Sequence, residues 1–168
     1  GVRMKKIFAP WRMSYIGSIP PSDCIFCDFP ARGDDCATFI LHRGETCFTI
    51  MNIYPYNPGH VMVIPFRHVA DYDGLRDEEL LEMHRTVRQW LRVIRKIMAP
   101  QGFNLGVNVG KVAGAGVAGH VHLHIVPRWN GDTNFMPVFG DVRVVPEALE
   151  ATYGRLKEGW NEDVPSDA

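Results

Sequence analysis

The chain has 168 residues, 46% hydrophobic and 22% charged, which excludes a disordered or low-complexity protein and suits one globular domain that buries its own core. Eighteen basic and 19 acidic side chains give a formal net charge of −1, so no general attraction to nucleic acid or to an anionic membrane is expected. No apolar run approaches the roughly 18 residues that cross a bilayer, and the opening Gly1-Val-Arg-Met-Lys-Lys-Ile-Phe8 lacks the core of a secretory leader, so a cytoplasmic protein is expected.

Residues 1–36, with Pro10, Pro20, Pro21 and Pro30 among several aromatics, read as an irregular arm wrapped on the same domain. The main domain is expected over residues 37–160. Residues 37–41 and 46–52 are rich in β-branched and aromatic side chains and read as two strands around the turn Arg43-Gly44-Glu45. Asn57-Pro58-Gly59 marks a turn, and His60-Val-Met-Val-Ile-Pro65 reads as a third strand. Between Asp77 and Met98, Leu80, Val87, Leu91, Ile94 and Met98 recur at helical spacing. Asp77 is the expected cap of that helix, with Pro100 and Gly102 as its stop. Residues 103–109 and the run from His120 to Pro127 read as strands four and five. Pro146 opens an expected short helix to Leu156, and residues 161–168 read as a polar tail. The order predicts an α+β fold: a mainly antiparallel five-stranded sheet, one long helix and a short C-terminal helix.

Gly119-His-Val-His-Leu-His-Ile-Val-Pro127 is the most informative stretch. In an extended strand His120, His122 and His124 line one face about 6.6 Å apart, with Val121, Leu123 and Ile125 entering the core behind them. One half-buried histidine is usually structural; three in register point to chemistry. Just upstream, Gly114-Ala-Gly116-Val-Ala-Gly119 matches a dinucleotide-binding glycine pattern, but the β-branched run after it is no helix, which argues against that site. The glycines can still bring backbone amides close to a phosphate.

Cys24-Ile-Phe-Cys27 has the spacing of a zinc knuckle, and His68 and His120 are the candidates to complete a tetrahedron. Four protein ligands would make such a zinc structural, tying the arm to the sheet. A redox pair would stand at the start of a helix in a thioredoxin-like setting, which Asp28-Phe29-Pro30 does not suggest. Cys36 and Cys47 complete a count of four cysteines, too few for a secreted disulfide scaffold. A catalytic metal on the triad histidines is a further alternative.

His120-Val-His122-Leu-His124-Ile-Val126 resembles the histidine triad motif, and Asn52-Ile-Tyr-Pro-Tyr-Asn-Pro-Gly-His60-Val-Met-Val-Ile-Pro65 is similar to a segment of the fragile histidine triad proteins. The similarity spans roughly residues 37–130. The two cysteines with His68 and His120 are similar to the zinc site of some bacterial members and of galactose-1-phosphate uridylyltransferases. Phe8–Ile16 and Pro127–Phe135 look most like the bacterial diadenosine tetraphosphate phosphorylases. The resemblance implies a histidine triad fold and cleavage of dinucleoside polyphosphates through a nucleotidyl-histidine intermediate, with inorganic phosphate or water as acceptor. It implies His122 as nucleophile and His124 as hydrogen-bonding partner of the phosphate or leaving group. Asn52 would contact the ribose, Ile50 and Met62 the base, and Asn108 the phosphate, while His60 would steady the nucleophile's other nitrogen at the nucleotide site. Gly116 stands where many relatives carry a glutamine, so Lys111, Thr133 or Asn134 are candidates to compensate. A purine nucleoside phosphoramidase and a non-catalytic nucleotide-binding adaptor are the alternatives, and a homodimer formed edge to edge through the sheet is expected.

Overall fold

The computed structural model describes residues 24–132 and 148–163. In chain order these form helices α1 (Ile25–Arg32) and α2 (Asp35–Thr38), then strands β1 (Ile40–Arg43), β2 (Cys47–Met51) and β3 (Val61–Pro65). Helix α3 (Asp77–Met98), strands β4 (Gly102–Val107) and β5 (Leu123–Arg128) and helix α4 (Leu149–Asp163) follow, with single 3-10 turns at Tyr72–Gly74 and Lys111–Ala113. The sheet runs β1-β2-β3-β5-β4, and every pairing is antiparallel. The expected α+β architecture is therefore the observed one.

Every residue of β2 and β3 is buried because both faces of the sheet are covered. Val61 and Val63 point toward α3 and α4, joining Met83, Val87, Trp90, Val93, Ile94, Leu156 and Trp160. Met62 and Ile64 point the other way, joining Cys24, Phe26 and Phe29 of the arm with Phe48 and Ile50. The period of two along each strand thus divides one core into two layers. Trp90 anchors the first layer: it is fully buried, and its indole N–H donates to Thr49 Oγ1 at 2.8 Å. Gly159 lets the two long helices touch, since a Cβ there would lie 3.0 Å from Ile97 and 3.1 Å from Val93.

Four local expectations are corrected. Residues 24–36 are not irregular: α1 occupies Ile25–Arg32 despite Pro30 and ends at Gly33, whose φ of 69° is the left-handed cap that glycine supplies. Ala37 and Thr38 belong to α2, not to a strand; Asp34 caps that turn by accepting from Ala37 N at 3.1 Å. Helix α3 has the expected bounds, but its N-cap is Arg76, whose backbone N–H donates to the Glu79 carboxylate at 3.0 Å. The C-terminal helix is not short: it extends through Asp163, so residues 161–163 are helical rather than tail. Its expected opening residue, Pro146, lies outside the described residues, as do residues 1–23, Thr133, Asn134 and 164–168. Among the described residues no helix is long and apolar enough to cross a membrane.

Candidate active site and metal clasp

The ladder between β3 and β5 ends at the pair Val63 and Leu123. Two residues later β3 reaches Pro65, which has no N–H to continue it. The chain before β5 turns to other partners: Val121 N donates to Val69 O at 2.8 Å, and the His120 ring donates from Nε2 to Pro65 O at 2.7 Å. The triad therefore straddles a strand end, with His124 in β5 and His120 and His122 on the segment before it. This corrects the expected strand from His120. The alternation survives, because Val121, Leu123 and Ile125 enter the helix-side core while His124 pairs with Met62, which faces the other way.

His120 and His122 are buried, and a cavity of about 590 Å³ opens against His122 and His124. Ile50, Asn52, Met62, Asn108 and Gly116 line it, so seven of the residues singled out from the sequence meet at one place. Ile25, Phe26 and Phe29 of α1, with Tyr54, Tyr56 and Val117, are also part of its wall. Sequence reasoning missed these; the spacing of Phe26 and Phe29 at i and i+3, followed by Gly33, was the available signal. Lys111 is not among the lining residues.

Fixed donors and acceptors assign the protons. A carbonyl only accepts, so His122 Nδ1, 2.9 Å from His120 O, carries hydrogen and leaves the Nε2 lone pair available. Burial lowers the pKa of His122, outweighing the carbonyl contact that raises it, and favours this neutral form. A backbone N–H only donates, so His60 Nδ1 accepts from Tyr56 N at 3.1 Å. The His60 proton is then on Nε2, 2.9 Å from His124 Nδ1, which accepts it. His124 consequently presents an Nε2–H, a buried donor with no partner among the described residues. Burial, and then the neighbouring His122, push the His124 pKa down to about 4, consistent with a neutral ring. His60 is thus not against the second nitrogen of His122, where it was expected: the His120 carbonyl holds that nitrogen, and His60 lies fully buried against His124. Asn52 Oδ1 accepts from Tyr54 N at 2.9 Å, and its Nδ2 lies 3.5 Å from each ring nitrogen of His60 and 3.9 Å from Met62 Sδ.

Beside the cavity, Cys24, Cys27, His68 and His120 place one ligand atom each within 4.8 Å of one another. Cys24 Sγ is 3.4 Å and Cys27 Sγ 3.6 Å from His120 Nδ1, and Cys27 Sγ is 3.3 Å from His68 Nδ1. Sulfur and nitrogen ligands of a tetrahedral zinc stand about 3.5 Å apart by standard bond lengths. His120 also has the proton arrangement a ligand needs, because its Nε2–H is spent on Pro65 O and Nδ1 faces the sulfurs bare. The four residues can hold a metal.

The family model described as HIT domain matches residues 35–131. The chain is 35% identical over 167 residues to AP-4-A phosphorylase of Mycobacterium tuberculosis, covering 94% of this chain and 85% of that one. It is 32% identical over 136 residues to the asymmetrical bis(5'-nucleosyl)-tetraphosphatase of Schizosaccharomyces pombe, covering 81% and 68%. Among solved structures, a zinc-bound histidine triad family protein from Mycobacterium smegmatis matches with a TM-score of 0.67 and 26% identity, covering 83% of this chain and 94% of that one. Fold and site define an enzyme of the histidine triad type. The chain belongs to the HIT family.

Proposed function

We propose that the protein cleaves dinucleoside polyphosphates by nucleotidyl transfer through His122, with inorganic phosphate as the favoured acceptor. The observation that carries this reading is the fixed tautomer pair. His122 offers an Nε2 lone pair, and His124 offers an N–H without a partner among the described residues in the same cavity, with the two ring centroids 4.8 Å apart. A neutral imidazole attacks the α-phosphorus without a separate base. The P–N bond forms as the bond from phosphorus to the bridging oxygen breaks, and the leaving polyphosphate takes the electron pair. His124 Nε2–H donates to a phosphate oxygen, and amides of the Gly114 to Val117 loop oppose developing charge. A phosphate oxygen then attacks phosphorus and displaces His122, giving a nucleoside diphosphate; water in its place gives the monophosphate. The cleft of Ile25, Phe26, Phe29, Ile50 and Met62 suits a purine base, with Asn52 at the ribose and Asn108 at the phosphates. The phosphorylase relative, matched over most of both chains, favours phosphate over water.

The metal proposed for the clasp is zinc, one per chain. When bound, it supplies a structural cross-link and no reacting group, since four protein ligands leave no open position. His60 acts at one remove, holding His124 in its donor form. The arm from Cys24 and the helix to Asp163 belong to one working domain. A homodimer through the sheet edge fits the half-exposed Leu105 on edge strand β4, and light scattering measures it. Thiolate ligands and a nucleotide substrate fit a reducing cytoplasm.

Incubation with diadenosine tetraphosphate, with and without phosphate, tests the reaction. ATP plus ADP that appear only with phosphate support the phosphorylase. ATP plus AMP in water moves the assignment to the hydrolase, and faster release of an amine from adenosine phosphoramidate moves it to the phosphoramidase. Binding with no turnover of any of these substrates refutes the enzymatic reading.

A further inference from the structure

Cys24 is the N-cap of α1 and Cys27 lies in its first turn, with Cys27 N and Asp28 N donating to Cys24 O at 3.2 and 3.1 Å. The two thiols therefore stand at the start of a helix, the setting that the sequence did not suggest. Cys24 is buried and Cys27 is partly exposed. The residues that follow each thiol are cavity wall: Ile25 and Phe26 after the first, Phe29 after the second. The Phe26 ring contacts His120 at 5.8 Å and 85°, and His122 at 5.1 Å and 59°. His120, the shared ligand, also holds the His122 tautomer through its carbonyl. One helix turn thus joins the thiols, the base cleft and the proposed nucleophile.

Helix α1 is poorly equipped to keep its place alone. It has eight residues, contains Pro30 and has no side-chain hydrogen bond from its N-cap, whereas isolated helices shorter than about 12 residues are marginal in water. Beside the packing of Phe26 and Phe29 on the sheet, its contacts at this end include those of the thiols to His68 and His120, 41 and 93 to 96 residues away in sequence. A bond between the two sulfurs would exchange those long-range tethers for a link between neighbours.

We propose that Cys24 and Cys27 are a redox-responsive clasp: a two-electron oxidant of the peroxide class joins them in a disulfide, the metal leaves, and the cavity loses the wall that α1 provides. The inference rests on the reading above that the clasp holds zinc and that the cavity takes a nucleotide. The more exposed Cys27 thiolate attacks the peroxide, the O–O bond breaks, and hydroxide departs to leave a sulfenic acid. Cys24 thiolate then attacks that sulfur and expels a second hydroxide, forming the S–S bond. Two thiolates are oxidised by two electrons, and one peroxide is reduced to two hydroxides. The neutral disulfide is a poor ligand, so two histidines remain and the zinc dissociates. A thiol reductant followed by zinc reverses the change.

The test uses the zinc-loaded chain with Cys36→Ser, which removes an exposed thiol outside the clasp, treated with stoichiometric hydrogen peroxide at neutral pH. Four quantities are read: zinc captured by a colorimetric chelator, the disulfide located by peptide mass, AMP affinity, and turnover of diadenosine tetraphosphate. The expected result is one zinc released per Cys24–Cys27 disulfide and a Kd for AMP raised by about tenfold, the scale of one lost aromatic contact, with recovery on adding dithiothreitol and zinc. A variant with Cys24→His and Cys27→His should hold metal and ignore peroxide. Oxidation that spares the pair, a disulfide formed without zinc release, or AMP affinity unchanged after disulfide formation would overturn the proposal. Zinc release and weaker AMP binding in a protein that turns over no dinucleoside polyphosphate would leave the clasp standing and refute only the reaction.

Discussion

Replacing His60 by Phe removes its hydrogen bonds with Tyr56 N and His124 Nδ1 while keeping a ring against Tyr56, whose own ring lies 5.3 Å away and nearly parallel at 19°. In the wild type the Tyr56 amide fixes the His60 proton on Nε2, and that proton fixes His124 as an Nε2–H donor. Without it, His124 Nδ1 loses its buried partner, and the ring can place its proton there and present a lone pair to the phosphate. A hydrogen bond to a charged group contributes about 1.5–3 kcal/mol, and each 1.4 kcal/mol is tenfold in rate. The variant should therefore lose about 10- to 150-fold in kcat. KM should change little, because Ile50, Met62, Phe26 and Phe29 are untouched. Steady-state kinetics with diadenosine tetraphosphate, with AMP affinity by calorimetry, separate the two effects. A kcat within about threefold of wild type, or a loss confined to KM, refutes the argument that His60 acts through the His124 tautomer.

Acidification should affect rate and stability in the same direction. His124 titrates near 4 because burial, and then His122, disfavour its charged form, so kcat should stay level from pH 8 toward 5 and fall below. A folded pKa beneath the unfolded value of about 6.5 means the unfolded chain binds more protons in that window. This contribution to stability is therefore lost as pH drops from about 6.5 to 4, and urea titrations at pH 7 and 5 measure it; greater stability at pH 5 contradicts it. Gly59→Ala should cost about 1–3 kcal/mol and lower Tm by several degrees: Gly59 has φ of 77° and an added Cβ would meet Met98 Sδ at 2.7 Å. Unchanged calorimetric melting would show that this turn adapts freely. Elemental analysis should find about one zinc per chain, reduced by Cys24→Ala along with Tm, and a folded, unchelated sample without metal refutes the clasp.

Much of the architecture was legible where local signals were strong. Helix α3 runs from Asp77 to Met98 as expected because its apolar stripe is sustained over 22 residues. Strand ends moved where a single residue decides the pairing: Pro65 stops β3, and the segment from His120 to His122 then bonds elsewhere. Helix α1 was hidden by Pro30 and by its eight-residue length, and its stability comes from Phe26 and Phe29 packing on distant strands. The four candidate metal ligands were legible because few side chains bind zinc. Their grouping depends on contacts between residues more than 90 apart, such as Cys24 and His120. The partner of His60 is set in the same way, by how the 52–60 turn meets β5, which local sequence does not determine.

In the proposed reaction His122 Nε2 bonds to the substrate's α-phosphorus. Rapid quenching during turnover of diadenosine tetraphosphate, followed by peptide mass analysis at neutral to alkaline pH, tests it most directly. One nucleotidyl group per chain is expected on the peptide carrying His122, lost on adding phosphate as ADP appears and absent in His122→Gly, which still binds AMP. Full turnover by His122→Gly, or an adduct on another residue, would contradict it.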